Sequence, residues 1–236
     1  MSVVVEYDVK MCCLASIESY KLGTERKESL DWQFKYDGQT SSYRIACYIA
    51  TGGLSRAVII ASRGTVPTDV HDLIADFELA AGQEETSTLL QTQRKVIESL
   101  ILHYQRQGVP IDNIYLTGHS LGGAFSVYGH GTHPETDCII FNPGFPTSTL
   151  LPKGYSKFKA ILDSINIQNF LIKGDPIAMP TIGLVQRQTI IKGNPPPESL
   201  IQAHSLAYLN SQLIPETPIT NTNPLAMYNQ RQRYNF

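Results

Sequence analysis

The chain has 236 residues, 42% of them hydrophobic, and a formal net charge of −2 at pH 7. That length suits one large α/β domain, and the scattered basic residues form no stripe for a nucleic-acid partner. The segment from Met1 to Asp8 has no positive start and no long apolar run, so the sequence predicts no secretory signal or membrane span, and a cytoplasmic location or signal-independent export.

The first part of the chain reads as a helix followed by a hairpin. Apolar residues recur at helical spacing from Tyr7 to Tyr20, and Gly23 is expected to end this helix. The β-forming runs 43–50 and 56–62 flank Thr-Gly-Gly-Leu-Ser, which is typical of a hairpin connection. The second run is apolar on both faces, so we expect it to be a central strand of a sheet.

Two helices are predicted next. The segment 69–80 places apolar residues at i, i+3, i+4 and i+7, including Phe77, and carries several carboxylates around them. A longer helix is predicted from about Thr88 to Gln107, with Gly108 as its stop. It leads into the strand that precedes Ser120.

The second half alternates strands and turns. The runs 138–141 and 165–172 are apolar and each is followed by a turn sequence, as expected of β/α units in a mostly parallel sheet flanked by helices. A further helix is predicted over 200–209. From residue 215 the sequence is polar and poor in aliphatics, so we expect one domain over 1–214 and a loosely ordered tail over 215–236.

The cysteines predict neither disulfides nor a metal site. Four are present, and two of them, Cys12 and Cys13, are adjacent. In a chain of this length they do not form a disulfide framework, and they lack metal-ligand spacing. We expect reduced, mostly buried thiols.

The most informative stretch is Ile-Tyr-Leu-Thr-Gly-His-Ser-Leu-Gly-Gly-Ala, residues 114–124. A β-forming run ends at Gly118, Ser120 follows, and Gly122 allows a sharp turn into a helix. This Gly-x-Ser-x-Gly arrangement predicts a nucleophile elbow, in which a serine is held at the carboxyl edge of a sheet. Backbone N–H groups at the start of the next helix can receive negative charge there.

A nucleophilic serine needs a histidine base and an acid that orients the base. Of the histidines, His204 follows both Ser120 and a strand-end acid, in the order serine, acid, histidine that α/β-hydrolases use. His119 lies inside the elbow and is interpreted as a packing residue. The remaining histidines, which have no assigned task, are His71, His103, His130 and His133.

Asp175 is the favoured acid because it comes directly after a strand, at the same sheet edge as Ser120. Glu198 stays open as an alternative, since its loop lies close to His204 in the sequence. Three other carboxylates between Ser120 and His204 lie before a strand, in a loop or in a connecting helix: Asp137, Glu135 and Asp163.

An oxyanion hole needs two donors. The residue after the nucleophile, Leu121, normally supplies one backbone N–H. The second must come from an earlier strand end, and the segment 63–65, Arg-Gly-Thr, is the strand end where a glycine permits close approach.

Several of these motifs occur together in one order: Arg-Gly-Thr at 63–65, Asp69-x-x-x-Leu-Ile-Ala-Asp76, the elbow at 117–124, Gly-Asp-Pro at 174–176 and His-Ser at 204–205. In this order they resemble the class 3, fungal-type lipase family of the α/β-hydrolase superfamily. The resemblance implies a triad of Ser120, Asp175 and His204. It also implies an oxyanion hole from Thr65 and Leu121, a lid near 69–80, and no metal or organic cofactor.

The function predicted from these residues is hydrolysis of a carboxylic ester through an acyl-enzyme on Ser120. The resemblance implies a small-molecule or lipid ester substrate, as for a lipase, esterase or phospholipase-type hydrolase. The acidic residues of segment 69–80 oppose an anionic membrane, so at most peripheral lipid contact is expected. Two alternatives stay open: acyl transfer by the same triad, and an inactive hydrolase fold that serves as a binding protein.

Overall fold

A computed structural model of the chain describes residues 3–31, 33–50, 56–66, 88–145 and 161–215. The strands within these ranges are β1 (Val3–Val5), β2 (Phe34–Tyr36), β3 (Ile45–Ala50), β4 (Val58–Ser62), β5 (Ile114–His119), β6 (Asp137–Phe141), β7 (Ile167–Ile172), β8 (Arg187–Ile191) and β9 (Leu213–Pro215). The α-helices there are α1 (Tyr7–Glu18), α2 (Thr88–Arg106), α3 (Leu121–His130), α4 (Leu200–His204) and α5 (Leu206–Gln212).

The central sheet of the described part has seven strands in the spatial order β2-β3-β4-β5-β6-β7-β8. The pairs β2·β3 and β3·β4 are antiparallel, and the other four pairs are parallel. A small second sheet pairs β1 with β9 in parallel. Parallel neighbours need a crossover connection, and α3 lies between β5 and β6 in the chain.

Helices cover both faces of the sheet because side chains alternate along each strand. On one face, Ile60 of β4 and Leu116 of β5 pack in a core that includes residues of α2 and α3. On the other face, Ile59 packs in a core that includes residues of α1, α4 and α5. This seven-stranded, mostly parallel sheet between two helical layers agrees with the α/β-hydrolase fold and confirms the predicted fold class.

The register places strand ends together at one edge of the sheet. Ser62 of β4 is opposite Gly118 of β5, and His119 is opposite Phe141 of β6. Phe141 is in turn opposite Phe170 of β7. The residues that follow β4, β5, β6 and β7 therefore emerge side by side, which is the condition for a site at the carboxyl edge.

Several predicted elements agree with the structure. The helix predicted to begin at Tyr7 is α1, and the long helix over 88–107 is α2. The two β-forming runs form the antiparallel pair β3 and β4. The prediction of a central strand is confirmed for β4, which has hydrogen-bonded neighbours on both sides.

Other predictions were wrong in detail. The single helix expected over 200–209 is two helices, because Ser205 has an extended backbone and its side chain caps α5 by accepting from the Tyr208 N–H. Gly23 does not end α1, which stops at Glu18 and is capped at Ser19. Pro215, assigned to the tail, is the last residue of β9.

Three predicted segments lie outside the described residues: the helix over 69–80, the hairpin turn at 51–55 and the tail from residue 216 onward. No helix in the described part of the chain is both long and apolar enough to cross a membrane.

All four cysteines are buried and unpaired, as expected: Cys12, Cys13, Cys47 and Cys138. Burial raises the pKa of each of these thiols, to about 11 for Cys47 and to about 12 for Cys13.

Candidate active site

Ser120 occupies a sharp turn between β5 and α3. Its φ of 56° and ψ of −128° put a residue with a Cβ in a region of the backbone map that such residues rarely adopt. Strain of this kind persists where the surrounding structure holds it, and it is frequent at functional sites. A sharp turn with these backbone angles is what the predicted nucleophile elbow requires.

The glycines on either side of Ser120 permit this turn. A Cβ at Gly118 would overlap the backbone carbonyl of Gly122, and a Cβ at Gly122 would overlap the carbonyl oxygen of Ser62. The first turn of α3 therefore packs directly on β4 and β5. The predicted reason for the glycine spacing is confirmed by these close approaches.

The structure brings the predicted serine, histidine and aspartate into one chain of hydrogen bonds. His204 Nε2 lies 3.0 Å from Ser120 Oγ, and His204 Nδ1 lies 2.8 Å from Asp175 Oδ2. Asp175 is fully buried and Ser120 is nearly so, while the His204 side chain is 21% exposed. Ser120 and Asp175 are therefore shielded from water, whereas His204 between them borders the solvent.

Asp175 is fixed by the loop in which it lies. Its Oδ1 accepts hydrogen bonds from the backbone N–H groups of Ile177 at 2.9 Å and Ala178 at 3.4 Å. Its other oxygen is thereby left to face His204. Glu198, the alternative acid, is exposed, and the contact made by His204 Nδ1 is with Asp175.

His119 has more contacts than the packing role predicted for it. Its Nδ1 lies 2.9 Å from the Tyr20 hydroxyl, and its Nε2 lies 2.7 Å from the backbone carbonyl oxygen of His204. A carbonyl only accepts, so Nε2 carries the proton and Nδ1 accepts from Tyr20. Burial is the larger cause, and the neighbouring His204 the smaller one, that together lower the pKa of His119 to about 3. The ring is therefore neutral.

Asn142 is a site residue that the sequence reasoning missed. It is fully buried at the end of β6 with a φ of 42°. Its Nδ2 donates to the carbonyl of Ala203 at 3.0 Å, and its Oδ1 accepts from the N–H of Ile172 at 2.8 Å. The Asn-Pro-Gly turn after β6 marks this position in the sequence, since asparagine tolerates positive φ better than most residues.

The two predicted oxyanion residues lie on segments that meet at the elbow. Leu121 is the first residue of α3, so its N–H has no acceptor within the helix. Thr65 is half-buried and follows Gly64, where a Cβ would come within 2.5 Å of the carbonyl oxygen of His119. The segment containing Thr65 therefore runs beside the elbow.

Among the described residues, no group of three or more His, Cys, Asp or Glu side chains is arranged to hold a metal ion.

The buried histidines give a pH prediction. Burial lowers the pKa of His130 to about 4, as it lowers that of His119 to about 3, and both titrate at about 6.5 when unfolded. Below about pH 6.5 the unfolded state binds more protons than the folded state. The contribution of these histidines to the free energy of unfolding is therefore complete above about pH 6.5, and it is lost as the pH drops toward 4. Over this range, each histidine lowers the free energy of unfolding by up to ~1.4 kcal/mol for each unit that the pH falls.

We expect His130→Gln to make the free energy of unfolding fall less steeply with acidification than in the wild type. Urea unfolding at about pH 7, 6 and 5 measures the two slopes. Identical slopes would show that His130 is not held neutral.

Comparisons with known proteins give one partial similarity. No protein-family model matches the chain. A stretch of 72 residues is 35% identical to acyl-protein thioesterase 1 homolog 2 of Dictyostelium discoideum, and it covers 30% of this chain. The chain spans 32% of that relative's length, about a third. This similarity agrees with the α/β-hydrolase fold and is not specific to the class 3 lipases, so the resemblance to that family stays a prediction.

Proposed function

We propose that this protein is a serine hydrolase that cleaves acyl esters through a covalent acyl-enzyme on Ser120. The observation that carries the proposal is the hydrogen-bonded chain Ser120, His204, Asp175, with separations of 3.0 and 2.8 Å, at a strained elbow. These distances are within the reach that proton transfer between a nucleophile and its base requires.

The hydrogen-bond pattern supports one role for each member of the proposed triad. With Nδ1–H of His204 donating to Asp175, the lone pair on Nε2 faces the Ser120 hydroxyl. His204 takes the proton as Ser120 Oγ attacks the acyl carbon, and it then protonates the leaving alcohol. Asp175 stabilises the imidazolium that forms. In the second half of the reaction, water attacks the acyl-enzyme with His204 again as the base, and the carboxylic acid product leaves Ser120.

Negative charge on the acyl oxygen needs donors already in place. The N–H of Leu121 supplies one, at the positive end of α3. Thr65 supplies the other in our proposal, since its segment runs against the elbow. Two other N–H groups near the elbow, those of Gly123 and Gly144, already donate to the carbonyl oxygen of Ser120, at 2.9 Å and 3.1 Å.

An apolar acyl group is favoured by an exposed aliphatic side chain near the elbow. Ile177 is 47% exposed, and its Cγ2 would lie 3.4 Å from a Cβ placed on Gly144. The same Cβ position is 3.8 Å from the N atom of Leu121. An exposed aliphatic side chain next to the proposed oxyanion donor suits a hydrocarbon chain better than a charged acid.

The class of ester is the next part of the proposal. The resemblance to class 3 lipases favours oxygen esters, including lipid esters. The partial similarity to a protein named as an acyl-protein thioesterase favours a second candidate, an S-acyl thioester. Both use the same acyl-enzyme, and they differ in the leaving group, an alcohol or a thiol.

A fluorophosphonate probe tests the proposed function directly. We expect stoichiometric labelling of Ser120 together with hydrolysis of p-nitrophenyl esters, and a series of acyl lengths in oxygen-ester and thioester form ranks the substrates. A competing alcohol that captures the acyl group instead of water would identify an acyltransferase. A folded protein that is neither labelled nor active would be a binding protein with a hydrolase fold.

The role of Thr65 has a separate test. Thr65→Val keeps the shape and the backbone N–H but removes the hydroxyl, and we expect it to lower kcat by up to about a hundredfold. Thr65→Ser restores a hydroxyl and should remain close to wild type. A wild-type kcat in Thr65→Val would limit the contribution of Thr65 to its backbone N–H.

A further inference from the structure

The helix that carries His204 is too short to position this residue by itself. It has five residues, and Ile201 is 86% exposed and Leu200 64% exposed. Its N-terminus is capped, because Ser199 Oγ accepts from the N–H of Gln202 at 3.1 Å. At its other end, the last carbonyls of a helix have no partner within the helix.

Two buried side chains supply those partners. His119 Nε2 donates to the carbonyl of His204 at 2.7 Å, and Asn142 Nδ2 donates to the carbonyl of Ala203 at 3.0 Å. The donors come from the ends of β5 and β6, which are adjacent strands in the sheet. The end of α4 is thus attached to the same sheet edge that presents Ser120.

The His119 ring is itself fixed on two sides. The His204 carbonyl requires the tautomer with its proton on Nε2, and the Tyr20 hydroxyl, 2.9 Å from Nδ1, then donates to the unprotonated Nδ1. The rings of His119 and His204 are in contact, with centroids 4.7 Å apart and planes inclined by 41°. Tyr20 therefore helps to hold the ring whose Nε2 donates to His204.

Asn142 links His204 to the acid as well. Its Oδ1 accepts from the N–H of Ile172, the last residue of β7, and the chain then turns at Lys173 and Gly174 to reach Asp175. One amide side chain thus joins the segment of the proposed acid to the helix of the proposed base.

We infer that His119 and Asn142 are positioning residues that hold His204 between Ser120 and Asp175 by bonding the final carbonyls of α4, and that Tyr20 acts through His119. This inference rests on the proposed function. Displacing a reacting group by about 1 Å can cost about a hundredfold in rate, so these bonds should affect kcat more than KM.

The test compares variants on a soluble p-nitrophenyl ester. We expect His119→Phe, which keeps a ring but removes both hydrogen bonds, to lower kcat by about ten- to a hundredfold with KM within about threefold of wild type. His119→Gln, whose amide nitrogen can donate in place of Nε2, should recover kcat to within about threefold. A folded His119→Phe with wild-type kcat, or a His119→Gln no better than His119→Phe, would overturn the inference for His119.

Asn142→Asp and Tyr20→Phe are the other two arms. Asn142→Asp tolerates the positive φ and keeps the acceptor for Ile172, but it loses the donor to Ala203, and kcat should fall about tenfold or more. Tyr20→Phe should lower kcat less, and should have no further effect in a His119→Phe background. An additive effect in that background would show that Tyr20 does not act through His119, and an unchanged kcat in Asn142→Asp would remove Asn142 from the inference.

His130→Gln is the control at a second buried histidine. His130 is also a buried histidine with two side-chain partners, Thr136 at 3.2 Å and Ser164 at 2.9 Å, but neither contacts His204. We expect a comparable loss of Tm and a kcat within about twofold of wild type. If kcat fell equally in His119→Phe and His130→Gln, the effect would be due to lost stability, and the inference would be overturned.

Proton NMR separates this inference from the proposed function. The Nδ1–H of His204, held against Asp175, should give a low-field resonance in the wild type and in His130→Gln, and it should broaden or vanish in His119→Phe and Asn142→Asp. The signal does not depend on turnover, so an unchanged resonance in these two variants would overturn the positioning role alone. A Ser120→Ala variant with wild-type turnover would overturn the proposed function, and the resonance would still report whether His119 and Asn142 hold His204 against Asp175.

Discussion

Ser120→Ala is expected to lower turnover by about three orders of magnitude or more while leaving the protein folded. Alanine keeps a Cβ at the same backbone position, so the strain at φ 56° is not changed by the substitution. The lost atom is Oγ, which lies 3.0 Å from His204 and is the nucleophile in the proposed reaction. Initial rates on a p-nitrophenyl ester and the thermal midpoint measure the two effects.

A second serine provides the control for this experiment. Ser164 Oγ lies 2.9 Å from His130 Nε2, so Ser164, like Ser120, is within hydrogen-bond distance of a histidine. The other nitrogen of His130 meets the hydroxyl of Thr136 rather than a carboxylate, and Ser164 is not on an elbow. We expect Ser164→Ala to keep near wild-type turnover and probe labelling. Near wild-type activity in Ser120→Ala would reject the elbow as the site of reaction.

Asp175→Asn should have the next largest effect, a fall in kcat of about three to four orders of magnitude. The amide nitrogen can donate to Nδ1 of His204, and the histidine would then carry its proton on Nε2, where a base needs a lone pair. The amide oxygen can still accept from the N–H groups of Ile177 and Ala178, which bond to Oδ1 in the wild type, so the loop is expected to persist.

Glu198→Gln is the matched comparison, since it makes the same chemical change at the competing acid. Glu198 is exposed, whereas Asp175 is fully buried 2.8 Å from His204. We therefore expect Glu198→Gln to stay close to wild type. The reverse ranking of the two variants in kcat would transfer the role of the acid to Glu198.

The sequence predicted most of the elements but not every strand. Strand β8 was missed because Arg187 and Gln188 interrupt the apolar pattern, which is permitted at the edge of a sheet. The pairing of β1 with β9 was missed because Val3 and Leu213 lie at opposite ends of the chain, and no local pattern reports such a partner. The helix break at Ser205 is a local capping signal that the apolar spacing concealed.

The role of His119 also shows the limit of sequence reasoning. From the sequence, His119 was interpreted as a packing residue, because no neighbouring residue in the chain indicates its hydrogen-bond partners. Its contacts are Tyr20, from the turn after α1, and His204, from near the other end of the described chain. Asn142 was missed for the same reason, since both of its partners lie far along the chain.

The sequence by itself determined what depends on neighbouring residues: the periodicity of α2, the apolar strands, and the glycines that let Ser120 adopt its turn. These follow from local sterics and side-chain spacing, which act over a few residues. The tertiary structure alone decided which carboxylate meets His204 and which side chains hold the end of α4. Those contacts depend on the register of strands β5, β6 and β7, and a shift of that register would move Asp175 and Asn142 away from His204 without changing any local sequence pattern.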